Sequence, residues 1–243
     1  MPSKRMDSMK EIIKRVLKSC AAGRLVYEPL HWLYRLYSVP HRRRMLGKHG
    51  RNVLEHIAEI IKKHHIPAFA AYGTLLGFVR DNGFLPHDDD IDLGILPGEW
   101  TPQRLLKVLL DEEEGFSFLF AFSYNGRVTE FKLQYGKVPI DFFFYEDDGE
   151  KFFAGSYHYL PNVEYPSPNA NSAQRVCEPR IKSLGKIRVY GIDFPVPSNA
   201  EHVLECLYGN WRIPDTNWND NKHPGIEDLP GFAYSITKEE AMK

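Results

Sequence analysis

Apolar residues recur at helical spacing near the N-terminus: Met9, Ile12, Ile13, Val16 and Leu17, then Leu30, Leu33, Leu36 and Tyr37 after Pro29. This period predicts two amphipathic helices, followed by the basic cluster His41-Arg42-Arg43-Arg44. A third helix is expected over about Val53–His64. The continuous apolar run Ile66–Tyr72, ended by Gly73, reads as a buried strand. Gly73-Thr74 opens a short helix through Arg80, and the turn Asp81-Asn82-Gly83 leads to an acidic strand, Asp88 to Leu96. A helix near Pro102–Leu110 follows, with Thr101 as its N-cap. Strands are expected over Phe116–Phe122, Val128–Tyr135 and Val138–Tyr145, and residues 146–198 read as short strands between Pro/Asn/Ser-rich loops. A last helix starts at Pro197-Ser198, with Ser198 and Glu201 as a capping box and Gly209 as its stop. The tail from Trp211 reads as loop.

The 243 residues are 43% hydrophobic and 13% aromatic, enough for a sizeable core and against disorder throughout. Net charge is −1, so nothing pulls the whole chain toward nucleic acid, and no nucleic-acid partner is expected. The distribution is uneven: residues 1–51 hold 13 Lys and Arg against Asp7, Glu11 and Glu28, a formal +10 that leaves −11 for the rest. The favoured reading of this segment is a helical arm packed on the main domain with a solvated basic face. The other is peripheral contact with an anionic membrane or a polyanionic acceptor. Cys20, Cys177 and Cys206 are too few and too widely spaced for a disulfide framework or a cysteine zinc site. With no apolar leader and no apolar run of spanning length, they point to a cytoplasmic residence, membrane-peripheral if the basic arm docks.

The chemistry concentrates in Gly73-Thr74-Leu75-Leu76-Gly77-Phe78-Val79-Arg80 and Pro86-His87-Asp88-Asp89-Asp90-Ile91-Asp92. Ile91, Leu93 and Ile95 alternate with Asp90, Asp92 and Gly94, so Asp88, Asp90 and Asp92 are expected on one strand face, about 6.6 Å apart per pair. Like charges on one face repel. A divalent cation, Mg²⁺ or Mn²⁺, relieves that repulsion and is held by carboxylates plus substrate phosphate oxygens. Gly73 and Thr74, opening a helix, are a candidate phosphate cradle. Asp141, alone in the apolar strand Ile140-Asp141-Phe142-Phe143-Phe144, needs a cation or strong donor nearby. It becomes a third carboxylate, and a candidate base, if its strand adjoins the acidic one.

These runs resemble the signature of the LicD family, which includes fukutin-type proteins: Gly-Thr-Leu-Leu-Gly-x-x-Arg, a short turn, then Pro-x-Asp-Asp-Asp-Ile-Asp. The resemblance extends from about Asn52 to Pro214 and includes Phe194-Pro195-Val196-Pro197 and Tyr208-Gly209-Asn210-Trp211. It departs at His87, where the family usually has Trp, and at Asn210, often Asp. It implies an α/β (α+β) nucleotidyltransferase-type mixed sheet flanked by helices over residues 51–214. A basic helical extension (1–50) would precede it and a loop-rich tail (215–243) follow. It further implies a metal-dependent transferase that moves phosphocholine or a phosphopolyol from a CDP-activated donor to a glycan or lipid-linked glycan, releasing CMP. The metal ligands carry over to Asp90 and Asp92 with Asp88 participating. Asp141 assists the attacking hydroxyl; Gly73, Thr74, Arg80 and Lys132 hold the donor.

Other readings weigh against these. A nucleotidyltransferase using a nucleoside triphosphate shares the Gly-Thr and Asp-x-Asp parts, and a non-catalytic module could keep the fold. Asp88, Asp90 and Asp92 also match positions 1, 3 and 5 of a calcium loop, but Leu93 stands where that loop needs Gly. Arg80 could pair with Asp81 or Glu99 at the surface, and Lys132 could be a solvated strand-face lysine.

Overall fold

The computed structural model describes residues 21–160, 163–215 and 223–243. The described residues begin on α1 (Ala21–His64), a single 44-residue helix. It runs through Pro29, Pro40 and residue 50, where the apolar pattern predicts separate helices. The first expected helix, Met9–Leu17, lies outside the described residues. Proline in a helix interior removes a backbone donor and crowds the preceding turn. Yet from Leu46 onward one stripe of α1 (Val53, Leu54, Ile57, Ile60, Ile61) is buried in the core and anchors the rod.

Nine strands form one mixed sheet in the order β1-β2-β5-β4-β3-β11-β8-β7-β6. They are β1 (Ala68–Ala70), β2 (Ile91–Ile95), β3 (Phe116–Tyr124), β4 (Arg127–Tyr135), β5 (Val138–Phe144), β6 (Glu146–Asp147), β7 (Lys151–His158), β8 (Ala170–Pro179) and β11 (Ile226–Ile236). Only β2 and β5 are parallel. A separate hairpin joins β9 (Leu184–Val189) and β10 (Ile192–Pro197). Helix α2 (Tyr72–Asp81) links β1 to β2, and α3 (Pro102–Lys107) continues into a π-turn, Val108–Glu112. The last helices are α4 (Ala200–Tyr208) and α5 (Lys238–Ala241).

Alternation along the central strands separates core from site. Ile91, Leu93, Ile140, Phe142, Phe131 and Leu133 fill one side, with the Phe131 and Phe142 rings 5.0 Å apart. Each such side chain contributes about 1.5–3 kcal/mol on burial. Asp92, Asp141 and Lys132 take the opposite parity. The sheet then curls until β7 meets β4, where the Thr129 and Tyr157 hydroxyls bond at 2.7 Å.

Local chemistry decides several boundaries. Thr101 caps α3 as expected, accepting from the Arg104 N–H at 3.2 Å. Ser198 caps nothing: its hydroxyl accepts from Ser183 at 3.0 Å, and Asn199 is the N-cap of α4 without a side-chain capping bond, its amide donating to the Arg180 carbonyl instead. A capping box forms instead at Thr237 and Glu240. Gly209 ends α4 in the left-handed region, as the sequence predicts. The segment after Trp211 is more than loop: it supplies β11, which pairs with β3 on one side and β8 on the other.

Candidate active site

The strand register brings the chemistry together. Asp92 on β2 lies beside Asp141 on β5, and Asp141 beside Lys132 on β4. Asp90, just before β2, shares the parity of Asp92. One carboxylate oxygen each from Asp90, Asp92 and Asp141 converge within 4.8 Å of one another. Lys132 Nζ bridges two of them, 2.8 Å from Asp90 Oδ2 and 2.5 Å from Asp141 Oδ2. Lys132 is thus neither solvated nor free for a phosphate here; it is the internal counter-charge of the acidic group.

Asp88 stands one step aside. The acidic strand begins at Ile91, so Asp88–Asp90 belong to the preceding loop rather than to the expected strand face. Asp88 Oδ2 accepts from the Leu85 N–H at 3.1 Å. Asp88 and Asp92 both face Gly73, where a Cβ would lie 3.1 Å from Asp88 Oδ1 and 3.6 Å from Asp92 Oδ2. A side chain at Gly73 would crowd this acidic rim, which is why the position suits glycine. The adjacent Tyr72 opens α2 with φ +44°, an unusual conformation for a bulky residue at a strand-to-helix turn.

Thr74 plays another part than the expected cradle. It is buried, and its hydroxyl accepts from the Asp92 N–H at 2.9 Å, tying α2 to β2. Ala71 at the N-cap has no side-chain oxygen, so the first-turn amides of α2 lack a side-chain cap beside Gly73. Arg80 does not reach the aspartates. Its guanidinium makes a two-pronged pair with Asp81, both bonds 3.0 Å, and donates to the Trp211 carbonyl at 3.3 Å. The arginine of the first motif therefore holds the closing Trp211.

Charge balance defines the chemistry. Burial pushes Asp92 well above the usual carboxylate range, reinforced by Asp90 and Asp141. Burial lifts Asp141 to about 7, with Lys132 opposing. Asp88 is lifted to about 7 by burial against the Leu85 N–H. Burial disfavours the charged Lys132, but Asp141 and Asp90 overrule it and hold the amine protonated. Glu130, two residues along the same face of β4, is buried and also pushed well up. Sequence reading missed Glu130; its parity with Lys132 was the available signal.

Asp141 Oδ1 is buried without a hydrogen-bond partner, beside two further carboxylates that one lysine cannot neutralise. Hard oxygen donors with an orphaned lone pair fit a divalent cation such as Mg²⁺ or Mn²⁺. The group opens onto a cleft of about 1150 Å³. Gly73, Asp88 and Phe143 line it together with Ser156 and His158 of β7, and Arg35 and Arg43 of α1 also reach it.

Comparison with known proteins agrees with this geometry. The family model described as "LicD/FKTN/FKRP, nucleotidyltransferase domain" matches residues 65–199. That stretch stops before Tyr208–Trp211, so the closing element lies outside it. The chain is 24% identical over 180 residues to the ribitol-5-phosphate transferase FKTN of Mus musculus and, equally, to that of Homo sapiens. The match covers 73% of this chain but 36% of each relative, so the chain spans about a third of their length. An uncharacterised protein of Rickettsia prowazekii is 37% identical over 154 residues, covering 63% of this chain and 51% of that protein.

Proposed function

The chain belongs to the LicD/FKTN/FKRP family, and from that premise we propose that it transfers a phosphopolyol group, ribitol phosphate foremost, from a CDP-linked donor to a glycan hydroxyl. The observation that carries this reading is the convergence of Asp90, Asp92 and Asp141 beside the uncapped start of α2. The mouse and human relatives are ribitol-5-phosphate transferases, which supports a polyol phosphate over phosphocholine as the group moved.

Asp90, Asp92 and Asp141 would hold Mg²⁺ or Mn²⁺, which when bound supplies positive charge against the donor diphosphate. The chain's own residues do the rest. Gly73 lets the donor approach the first-turn amides of α2, which favour anions. The acceptor oxygen forms a bond to the phosphorus that carries the polyol as the bond from that phosphorus to CMP breaks. The acceptor's proton passes to a carboxylate of the same group, Asp141. Thr74 and Lys132 fix the two carboxylate-bearing strands, so positioning and electrostatics carry the rate.

Thermal unfolding with CDP-ribitol, CDP-glycerol, CDP-choline and CTP, each with and without Mg²⁺, tests the reading. A hundredfold excess over Kd stabilises by about 2.7 kcal/mol. Magnesium-dependent stabilisation by a CDP-polyol, with CMP released when an acceptor glycan is added, is the expected result. Stabilisation by CTP alone would favour nucleotidyl transfer. Binding without turnover for every donor would favour a non-catalytic module.

A further inference from the structure

The N-terminal half of α1 exposes an apolar surface that the fold leaves uncovered. Leu30, Trp32, Leu33, Tyr34, Leu36 and Tyr37 are each more than half exposed, Tyr37 at 72%. Leu30, Leu33, Tyr34 and Tyr37 follow i, i+3, i+4, i+7 spacing. The same stripe continues as Arg44, Lys48 and Arg51, all exposed. The opposite side of the helix is engaged: Ser38 is buried, and Leu46, Val53 and Ile57 sit in the core. We propose that this outward stripe of α1 docks on the surface of an anionic lipid bilayer, its Leu/Tyr end in the interface and its cations among the headgroups.

Three observations select that occupant. Tyr mixed with Leu on one helix face (Leu30, Leu33, Tyr34, Tyr37) matches the composition favoured at a membrane–water interface, and Trp32 and Leu36 lie off this stripe. The cations stand on the same face as the apolar residues, one to four turns further on, which fits anionic headgroups at the rim of an inserted patch. A second copy paired in parallel would set Arg44, Lys48 and Arg51 against themselves. A soluble polyanion would account for the cations but not for six uncovered apolar side chains. Among the described residues no helix is long and apolar enough to cross a membrane, so the contact is one of lying on the surface. The docked helix is also tied to the cleft. Arg42 Nη2 pairs with Asp89 Oδ2 at 2.5 Å, and Arg43 Nε donates to the His87 carbonyl at 2.8 Å. Docking would therefore hold the loop that bears Asp90 near the lipid surface.

The test is sedimentation of the full chain with phosphatidylcholine vesicles, with and without phosphatidylglycerol, together with tryptophan quenching by brominated lipid chains. Binding to the anionic vesicles is expected, and a tryptophan moved onto the stripe (Trp32→Phe with Tyr34→Trp) should be quenched. Arg44→Gln with Lys48→Gln should weaken partitioning about thirtyfold, about fivefold per cation. Leu33→Glu with Tyr37→Glu should abolish it. Unchanged circular dichroism and an unchanged Mg²⁺ thermal shift show that a variant is folded. No sedimentation with anionic vesicles overturns the proposal, as does sedimentation that ignores the glutamate pair. A concentration-dependent dimer, or binding to a soluble polyanion without vesicle binding, overturns it equally. None of these readouts uses a CDP donor, so the proposal and the transfer reading fail separately.

Discussion

Asp92 is held where burial, Asp90 and Asp141 all oppose its charge, so the chain without a cation should gain from losing that charge. Asp92→Asn keeps the shape and removes the repulsion. Its melting temperature without added metal should rise by a few degrees, given about 2–4 °C per kcal/mol for a chain of this size, while the Mg²⁺-induced shift disappears. A fall in stability, or a retained Mg²⁺ shift, would contradict the metal assignment. Lys132 gives the opposite sign. Lys132→Met strips the internal counter-charge from Asp90 and Asp141, so the metal-free chain should melt lower and the Mg²⁺ shift should grow; an unchanged shift refutes that role. Glu178 offers a pH reading away from the metal ligands. It is buried, accepts from the Tyr145 hydroxyl at 2.8 Å, and is lifted by burial from 4.5 to about 7. Its folded pKa lies above its unfolded value, so between about pH 4.5 and 7 the unfolded chain binds fewer protons and stability falls as pH rises. The stabilising protonated form is fully present below 4.5 and lost through 7. Subtracting the Glu178→Gln profile from the parent's should isolate a drop on the order of 3 kcal/mol across that window; parallel profiles would refute it.

At the scale of elements, α2 and its turn show how a short motif carries packing and chemistry together. Gly77 lies against the turn after Asp81, where a Cβ would drive into the Gly83 carbonyl oxygen. Backbone cannot retreat as a flexible side chain can, so Gly77→Ala should cost about 1–3 kcal/mol, read as a lowered denaturant midpoint at unchanged slope; a neutral result would mean that the turn is free to shift. This motif was legible because its signals are local. The Gly73 helix start, the Asp90/Asp92 alternation and the lone Asp141 each sit within a few residues of the features that define them, and the parallel pairing of β2 with β5 needed only one adjacency. Nonlocal facts were not legible. Lys132 reads equally as donor contact or solvated lysine until the Lys132–Asp141 register is known, and of Arg80's two readings, phosphate ligand or surface partner of Asp81, only the bond to the distant Trp211 carbonyl was hidden. Asp88 looked like strand because alternation was extended three residues into a loop that the Leu85 N–H closes. Pro29 looked like the start of a new helix because local pattern was weighed without the buried stripe that begins at Leu46.

For the whole molecule the deciding element is β11, which local pattern hid. Its sequence, Ile-Glu-Asp-Leu-Pro-Gly-Phe-Ala-Tyr-Ser-Ile, alternates poorly, and its pairing with β8 slips between Asp228 and Phe232. Yet it is the strand through which the β2–β5–β4–β3 half joins the β8–β7–β6 half in the sheet ladder, and residues of both halves line the cleft. Tyr234 pairs with Ser123 on one side and Ala170 on the other. Its side chain is part-exposed, so Tyr234→Pro strikes the ladder rather than a packed core. Beyond β11 the two halves also meet through the Thr129–Tyr157 hydroxyl pair, the Tyr145–Glu178 bond, and ring contacts of Phe122 and Tyr124 with Tyr157 and of Tyr145 with Phe152. Weakening β11 should uncouple the halves before it dissolves either. In Tyr234→Pro, amide exchange should quicken in β7 and β8 while β2, β4 and β5 stay protected. The Mg²⁺ shift should persist, because Asp90, Asp92 and Asp141 all belong to the first half. Donor binding that spans both halves should weaken even so. Uniform loss of protection across both halves would instead make the sheet one cooperative unit, with the cleft unable to open along β11.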